Sequence, residues 1–355
     1  MADSRIPVTV LTGYLGAGKT TLLNRILGEE HGMRYAVIVN EFGEIGIDHE
    51  LITRVDEELF EMNNGCICCT VRGDLIRTLH SLLLAIDAKG PEAFDAILIE
   101  TTGLADPGPV AQTFFVDPQL RARTRLDSIT TLVDARHILA RLGDSREAVE
   151  QIAFADQIVI NKTDLADEAA LRAIERALRR INALAPVQRA LRSQVPLQTV
   201  LGCGGFDLAR IVLREPDFLP EFLPPAPNHE HGHDEHCGHG SHDHDPHHDH
   251  DHDHDASITS VSLTSVRAMD ALRLQQWLTD LLAAQGDDIL RSKGIVNVAG
   301  DDRRLVVQAV HRVLEGDWQR PWRADEARQS RLVFIGRQLD AAALDAGFQG
   351  CAAQG

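Results

Sequence analysis

Residues 13–20 read Gly-Tyr-Leu-Gly-Ala-Gly-Lys-Thr and decide how the first part of this chain folds. The stretch matches Gly-x-x-x-x-Gly-Lys-[Ser/Thr] at every fixed position, follows the apolar run 7–11 and leads into residues 21–27, Thr-Leu-Leu-Asn-Arg-Ile-Leu. A strand, a glycine-rich loop and a helix in this order form a phosphate cradle, because backbone N–H groups close around phosphate oxygens at the positive end of the helix. The alternative is a glycine-rich turn without a ligand. We predict a nucleotide site formed by Gly13, Gly16, Ala17, Gly18, Lys19, Thr20 and Thr21.

Two side chains of this loop are expected to take part in the chemistry. Lys19 would neutralise charge between the β- and γ-phosphates, and the Thr20 hydroxyl would ligate Mg²⁺. Phosphate loops of this kind serve ATP and GTP alike, so the base must be recognised by another part of the chain.

The base-recognition motif is predicted at residues 161–164, Asn-Lys-Thr-Asp, directly after the apolar run 158–160. The Asp164 carboxylate can accept two hydrogen bonds from the N1–H and exocyclic amine of guanine, whereas adenine would leave it unpaired. Lys162 is positioned to lie along the base plane, and Asn161 completes the Asn-Lys-x-Asp pattern of guanine-specific GTPases. An ordinary polar loop at a strand end is the alternative. Together with the phosphate loop, the motif favours GTP over ATP.

A third motif follows the apolar run 94–99, where residues 100–107 read Glu-Thr-Thr-Gly-Leu-Ala-Asp-Pro. Glu100 at the carboxyl end of a buried strand can hold a magnesium-bound water, and Gly103 can bring its N–H to the γ-phosphate. Residues 101–109 are therefore predicted to be the γ-phosphate sensor. Leu104 stands where Ras-type proteins place the glutamine that orients the attacking water. We therefore predict slow basal hydrolysis until a partner or a rearranged glutamate completes the site.

A cysteine-rich motif lies between the phosphate loop and this sensor, where residues 64–69 read Asn-Gly-Cys-Ile-Cys-Cys. The thiolates of Cys66, Cys68 and Cys69 can converge on one soft cation such as Zn²⁺ or Cu⁺. A single turn cannot easily supply four ligands, so water, a receiving protein, Glu41, Glu44 or His49 could complete the shell. An incomplete shell suits metal transfer better than permanent retention. A structural zinc site or inert buried thiols are the alternatives.

Five motifs together resemble the CobW-type family of P-loop GTPase metallochaperones: residues 13–21, Asn-Glu-Phe-Gly-Glu at 40–44, Gly-Cys-Ile-Cys-Cys at 65–69, residues 100–107 and residues 161–164. The resemblance implies that GTP and Mg²⁺ bind the first domain and that the cysteine motif holds Zn²⁺, or a related ion such as Co²⁺ or Ni²⁺. It also implies that hydrolysis is tied to delivery into a client apo-metalloprotein. Some members are described as zinc chaperones, and others serve cobalt in cobalamin synthesis or a nitrile hydratase. The motifs do not distinguish these branches, and we favour the zinc branch.

The spacing of apolar runs predicts an α/β fold with a P-loop GTPase domain over residues 1–212. Strands are expected at 8–12, 35–40, 59–62, 96–100, 128–133 and 157–161, and helices at 19–28, 73–88, 146–155 and 167–182. Strands separated by helices imply a mainly parallel sheet, whose carboxyl edge carries all three nucleotide motifs. A smaller C-terminal α+β domain is predicted over 258–345, followed by a tail at 346–355. Its strands are expected at 258–266, 294–299, 304–310 and 331–335, and its helix at 268–284.

The segment between the two predicted domains has an unusual composition. Residues 215–227 hold five prolines, and residues 228–255 hold twelve of the seventeen histidines and nine Asp and Glu with no Lys or Arg. With almost no apolar side chain to bury, the linker 213–257 is predicted to be disordered. Its imidazoles and carboxylates, chiefly the histidines within 229–254, are expected to bind divalent metals weakly at many overlapping sites. A merely solvated linker is the alternative.

Charge and hydropathy exclude several classes of function. The formal net charge is −18, half of it in residues 228–255, and the acidic remainder argues against a nucleic-acid surface. No apolar run approaches the ~20 residues needed to cross a bilayer, and the amino terminus shows no signal sequence. We therefore predict a cytoplasmic protein without a membrane partner, and association into a homo-oligomer stays open. Two alternatives to a GTP-driven chaperone also stay open: a metal store with a regulatory nucleotide site, and a GTPase switch with structural zinc.

Overall fold

The computed structural model describes residues 5–29, 32–39, 59–61, 70–89, 94–206 and 258–353. Residues 5–206 contain a parallel sheet with helices on both faces, and residues 258–353 contain an antiparallel sheet with two helices among the described residues. The predicted α/β class with a smaller α+β domain is confirmed. Several predicted metal ligands lie outside the described residues: Cys66, Cys68, Cys69, Glu41, Glu44 and the histidines within 229–254.

The parallel sheet has seven strands within the described part of the chain, in the order β3-β2-β4-β1-β5-β6-β7. They are β1 (Ile6–Thr12), β2 (Tyr35–Val39), β3 (Leu59–Glu61), β4 (Ala96–Glu100), β5 (Thr124–Asp134), β6 (Gln157–Asn161) and β7 (Val187–Arg189). Every neighbouring pair in this order is parallel. The carboxyl ends of β1, β4 and β6 therefore lie along the same edge, which brings the three nucleotide motifs together.

Helices connect these strands and cover the two faces of the sheet. They are α1 (Lys19–Gly28), α2 (Thr70–Lys89), α3 (Pro107–Val116), α4 (Pro118–Arg123), α5 (Ile138–Asp144), α6 (Arg146–Phe154) and α7 (Glu168–Ile181). Alternate residues of each strand face opposite cores because the side-chain period of a strand is two. On β4, Ile97 and Ile99 join the core that contains α6 and α7, whereas Leu98 packs in the core of α1. Burial on both sides explains why these strands read as continuous apolar runs.

The C-terminal domain is a five-stranded antiparallel sheet in the order β11-β10-β9-β12-β8. Its elements are β8 (Ile258–Ser265), α8 (Ala271–Gln285), β9 (Ile289–Asn297), β10 (Arg303–Val310), β11 (Val313–Pro321), β12 (Ser330–Arg337) and α9 (Ala341–Gly350). Leu274, Leu278 and Leu282 form the buried face of α8 and pack in one core with Phe334 and Phe348. The last helix crosses the boundary predicted at residue 345, and Ala352 forms a β-bridge with Met269.

The two domains share a continuous interface. Ile258, Val310, Val333 and Ile335 belong to the same buried cluster as the α6 and α7 face of the parallel sheet. Buried charges cross the interface beside this cluster: the Asp156 carboxylate accepts hydrogen bonds from Arg291 and from Lys293, the latter over 2.7 Å. The C-terminal domain is therefore fastened to the nucleotide domain through the residues around the end of α6.

The predicted elements that carry the motifs are present, with limits that differ by a few residues. Strand β5 begins at Thr124 rather than residue 128, and β9 begins at Ile289 rather than residue 294. The short or edge strands β7 and β11 and the helices α3, α4, α5 and α9 were not predicted. Trp318 packs against the C-terminal core, and Trp322 lies beside the Arg304 guanidinium.

Candidate active site

The phosphate loop joins β1 to α1 and is held in a conformation that glycine permits. Gly18 precedes the first residue of α1 with a φ of 105°, in the region that favours glycine. A Cβ atom at this position would stand 2.3 Å from Asn161 Nδ2, so the base motif packs directly on the loop. Ala17 is buried, whereas Gly16 and Thr21 are exposed at the rim. The conformation of the loop and its contact with Asn161 therefore both depend on glycine at position 18.

Lys19 and Thr20 face the positions where phosphate and magnesium chemistry is expected. Lys19 is only 8% exposed, and its Nζ donates a hydrogen bond to the Gly13 carbonyl over 2.9 Å, across the mouth of the loop. Thr20 Oγ1 donates to Glu100 Oε1 over 2.8 Å, although the two residues are eighty positions apart in sequence. A hydroxyl and a carboxylate at hydrogen-bonding distance supply the hard oxygen atoms that Mg²⁺ prefers. The residues present therefore fit a magnesium ion at this position.

The sensor loop that follows β4 contacts the phosphate loop. The Thr101 N–H donates to the Leu11 carbonyl, and Thr101 Oγ1 donates to Thr12 Oγ1 over 2.9 Å. A Cβ atom on Gly103 would lie 2.6 Å from the Leu15 backbone nitrogen, so only glycine lets the two loops approach this closely. The buried Thr102 hydroxyl has no hydrogen-bond partner among the described residues. An orphaned polar atom at this position fits a site that is completed by nucleotide, metal or water.

The base motif is tied to the phosphate loop by a buried amide. Asn161 Nδ2 donates to the Ala17 carbonyl over 2.9 Å and to Ser193 Oγ over 3.1 Å. Lys162 has a φ of 59°, and its Nζ lies 2.7 Å from Asp134 Oδ2. Asp164 is exposed in a short 3-10 turn over residues 163–165, where its carboxylate is open to a base. The structure thus brings the three predicted motifs to one edge of the sheet.

Three residues of this site have no counterpart in the predictions from sequence. Ser193 follows β7 with a φ of 56°, accepts the Asn161 amide and donates to the Gly18 carbonyl over 3.1 Å. Asp134 pairs with Lys162, and Gln151 on α6 donates to the carbonyls of the sensor loop. Of these three, only Asp134 could have been noticed in the sequence, because it ends an apolar run and therefore lies at the carboxyl edge of the sheet. Ser193 and Gln151 stand in stretches without a motif.

A cavity of about 320 Å³ opens beside the phosphate loop. Its lining includes Tyr14 and Leu15, residues of β5, Arg141 of α5, Gln151 of α6, and His137 directly before α5. The Arg141 guanidinium lies 5.3 Å from the centre of the Tyr14 ring. The cavity therefore lies between the phosphate loop and Gln151, the residue that bonds the sensor loop.

Two absences hold for the part of the chain that the structure describes. Within it, no group of three or more His, Cys, Asp or Glu side chains could hold a metal ion. No described helix combines the length and the apolar character that crossing a membrane requires.

Comparisons with known proteins give matches to both domains of the chain. Residues 7–189 match the family described as CobW/HypB/UreG, nucleotide-binding domain, and residues 258–352 match the cobalamin synthesis protein cobW C-terminal domain. The chain is 38% identical over 346 residues to the zinc chaperone YjiA of Escherichia coli, covering 97% of this chain and 98% of that protein. It is 35% identical over 373 residues to the zinc chaperone CobW of Pseudomonas aeruginosa, covering 96% of this chain and 90% of that protein.

A solved structure shows the same architecture along the full length. The crystal structure of Zn(II)-bound YjiA GTPase from E. coli superposes with a TM-score of 0.73 at 32% identity, covering 99% of this chain and 100% of that chain. The family predicted from the five motifs is therefore confirmed. The chain belongs to the CobW/HypB/UreG nucleotide-binding family.

Proposed function

We propose that this protein is a GTP-hydrolysing metallochaperone that binds Zn²⁺ at Cys66, Cys68 and Cys69 and transfers it to a client apo-metalloprotein. The observation that carries the proposal is the convergence of Lys19, Thr20, Glu100 and Asn161 at one edge of the sheet. This arrangement, in a member of this family, makes the chain a GTPase with GTP and Mg²⁺ as its ligands. The relatives that match along the full chain are named zinc chaperones, which favours zinc as the cargo.

The residues of the site have distinct roles in hydrolysis. Lys19 supplies positive charge to the β- and γ-phosphates, and Thr20 and Glu100 would hold Mg²⁺ directly and through water. When bound there, Mg²⁺ would supply positive charge against the negative charge that develops on the phosphate oxygens. Gly103 places the sensor backbone against the phosphate loop, so its N–H can receive the γ-phosphate. Leu104 offers no polar group to an attacking water, which agrees with slow basal turnover.

The position of the cysteine motif in the chain supports coupling between nucleotide and metal. Strand β3 ends at Glu61, five residues before Cys66, at the same edge as the nucleotide motifs, and α2 begins at Thr70, directly after Cys69. If GTP changes the arrangement of the three thiolates, zinc must change GTP affinity by the same factor, because coupling between two sites is reciprocal. Titration of a GTP analogue and of GDP, with and without Zn²⁺, measures this factor. Equal affinities in both conditions would leave two independent sites.

The decisive experiment measures whether zinc leaves the full-length protein during turnover. The protein is loaded with Zn²⁺ and mixed with a chromogenic zinc chelator as the acceptor, in the presence of GTP, a non-hydrolysable GTP analogue or GDP. We expect fast release only with GTP and loss of that release in Cys68→Ser, while Cys237→Ser, outside the motif, behaves like the wild type. The same release with all three nucleotides would contradict delivery by hydrolysis.

Storage is the second candidate function, and one observation favours it. The twelve histidines within 229–254 give the chain many weak ligands for divalent metals. Removing residues 228–255 should reduce the number of metal ions bound at saturation, yet leave release from the cysteine motif intact when zinc is ample. Loss of both properties would indicate that collection and delivery are a single function of the linker.

A further inference from the structure

Gln151 is a buried polar residue that the roles assigned above do not use. It lies on α6, is 1% exposed, and its Nε2 donates to the carbonyls of Gly103 and Ala105, each over 3.1 Å. Its own main-chain carbonyl accepts a hydrogen bond from Thr131 Oγ1 on β5 over 2.7 Å. A side chain with a fixed backbone and two carbonyl partners in one loop acts as a clamp on that loop.

The two carbonyls that Gln151 binds set the orientation of the γ-phosphate sensor. Each carbonyl belongs to a planar trans peptide unit, so fixing the oxygen also fixes the N–H on the opposite side of the same plane. The bond to Gly103 fixes the N–H of Leu104, and the bond to Ala105 fixes the N–H of Asp106. Gly103 is also where the sensor meets Leu15 of the phosphate loop. The clamp therefore acts on the peptide units that directly follow the Gly103 N–H, the group expected to receive the γ-phosphate.

An anchor can position a loop only if the anchor itself is held. Helix α6 begins at the Ser145 cap, whose Oγ accepts the Ala148 N–H, and its last carbonyls accept hydrogen bonds from Asn182 Nδ2. Glu150, the neighbour of Gln151, pairs with Arg146 on the helix and with Arg337 on β12 of the C-terminal domain. Both ends and one side of α6 are thus fixed, and the C-terminal domain takes part.

We propose that Gln151 is a positioning residue for GTP hydrolysis, which holds the sensor loop in the orientation that receives the γ-phosphate. It acts through the carbonyls of Gly103 and Ala105 and does not touch the nucleotide. GDP lacks the γ-phosphate, so the contribution of Gln151 is confined to GTP. The inference rests on the GTPase activity and is independent of zinc transfer.

The test is Gln151→Glu in the full-length protein, because this change keeps the size of the side chain and removes the donor. An ionised carboxylate would face two carbonyl oxygens and release the loop. We expect kcat to fall at least about tenfold and the affinity for a GTP analogue to fall by a similar factor, because the variant loses the net contribution of about one to two hydrogen bonds. GDP affinity should stay within about twofold. Turnover should recover in part as the pH is lowered, since a protonated carboxyl can again donate one hydrogen bond.

Asn182→Ala is the matched control. Asn182 is also buried and also donates to main-chain carbonyls at the end of α6, those of Ile152 and Ala155, but these hydrogen bonds do not reach the sensor loop. Its loss therefore destabilises the helix and leaves the hydrogen bonds from Gln151 to Gly103 and Ala105 in place. It should lower the midpoint of unfolding and leave the ratio of GTP-analogue to GDP affinity unchanged. Gln151→Met, which lacks both donor and charge, replaces Gln151→Glu if the latter does not fold.

Three outcomes would overturn the proposal: normal hydrolysis in Gln151→Glu and Gln151→Met, equal weakening of GTP analogue and GDP, or a change in the affinity ratio in Asn182→Ala as large as in the Gln151 variants. Failure of the clamp is distinguishable from failure of the chaperone function. The first appears as wild-type zinc release with an unchanged affinity ratio in the variants, and the second as absence of GTP-dependent zinc release in the wild type.

Discussion

Asp164 is the residue on which guanine selectivity is expected to depend. Asp164 lies three positions after the buried Asn161, and its carboxylate is exposed. This carboxylate can accept hydrogen bonds from the N1–H and the exocyclic amine of guanine, a pair of donors that adenine lacks. Asp164→Ala should weaken GTP binding about 10- to 100-fold, since a hydrogen bond to a charged group contributes roughly 1.5–3 kcal/mol. Calorimetric titration with GTP and ATP measures the effect, and the exposed Asp345→Ala on α9 is the control. Equal weakening of both nucleotides would place base recognition elsewhere.

Glu100 is the residue through which magnesium dependence can be tested. Its carboxylate accepts the Thr20 hydroxyl over 2.8 Å and would hold a magnesium-bound water. Glu100→Gln keeps the shape but removes the charge, so the Mg²⁺ concentration for half-maximal GTP turnover should rise about 10- to 100-fold, as for other outer-shell partners of metals. Glu168→Gln on the surface of α7 should leave the dependence of GTP turnover on Mg²⁺ concentration unchanged. If Glu100→Gln showed the same Mg²⁺ dependence as the wild type, Glu100 would not be part of the metal site.

Residues in local motifs could be predicted from the sequence, and residues joined only by tertiary contacts could not. Lys19, Thr20 and Asn161 each belong to a short run of neighbouring residues that forms a single loop, so the motif can be read directly from the sequence. Gln151 reaches a loop 48 residues away and Ser193 bonds an amide 32 residues away, so neither has a neighbour in sequence that reveals its role. Such contacts depend on which helix packs on which strand. Hydrophobic periodicity identifies the helices and strands but does not determine how they pack on each other.

Helix α6 gives a prediction at the level of a secondary-structure element. Asn182, which follows α7, donates through Nδ2 to the carbonyls of Ile152 and Ala155 and accepts the N–H groups of Leu184 and Ala185 through Oδ1. Asn182→Ala leaves these buried groups unsatisfied, at about 1–3 kcal/mol each before relaxation, so the free energy of unfolding should fall by at least about 2 kcal/mol. Urea unfolding followed by circular dichroism measures the loss. A change in the free energy of unfolding below about 0.5 kcal/mol, the range of ordinary surface substitutions, would contradict the role of Asn182 in stabilising the end of α6.

The elements missed by sequence reasoning are those whose stability comes from neighbours. Strand β11 (Val313–Pro321) carries Glu315, Gly316 and Asp317 at its centre, yet it pairs along its length with β10 at the edge of the sheet. Strand β7 is three residues long and is defined by its pairing with β6. Edge strands bury little side-chain surface, so they lack the apolar run that identified β1, β4 and β6.

The two domains are joined by a core and a set of buried charges that no single segment encodes. Asp156 comes from the turn before β6, and its partners Arg291 and Lys293 come from β9, more than 130 residues later. Arg291 also donates to the Phe154 carbonyl at the end of α6, and its guanidinium lies 4.4 Å from the centre of the Phe206 ring. A cluster of this kind specifies one relative position of the domains, because displacement would leave buried charges unpaired.

Asp156→Asn should weaken this junction in a way that depends on pH. Burial acts to raise the pKa of Asp156, but the charges of Arg291 and Lys293 prevail and hold it below the ordinary value of 3.8. A carboxyl whose pKa is lowered by folding contributes stability that is present above about pH 3.8 and is lost as the pH falls through the folded-state pKa. At pH 7 the variant leaves two buried cations without their anion, and we expect a loss of about 3–5 kcal/mol in the free energy of unfolding.

Urea unfolding of wild type and Asp156→Asn from neutral pH down to pH 3 measures the difference in their free energies of unfolding. This difference should be constant from neutral pH to about pH 5 and should become smaller below pH 5. Asp287→Asn serves as the control because Asp287 pairs with Arg312 on the surface, where water screens the charges, and its effect should be much smaller at every pH. Since one core spans both domains, wild-type protein should unfold in a single transition, and separation into two transitions is expected first in Asp156→Asn. A difference between wild type and Asp156→Asn that does not change down to pH 3 would mean that the Asp156 charge is not what joins the domains.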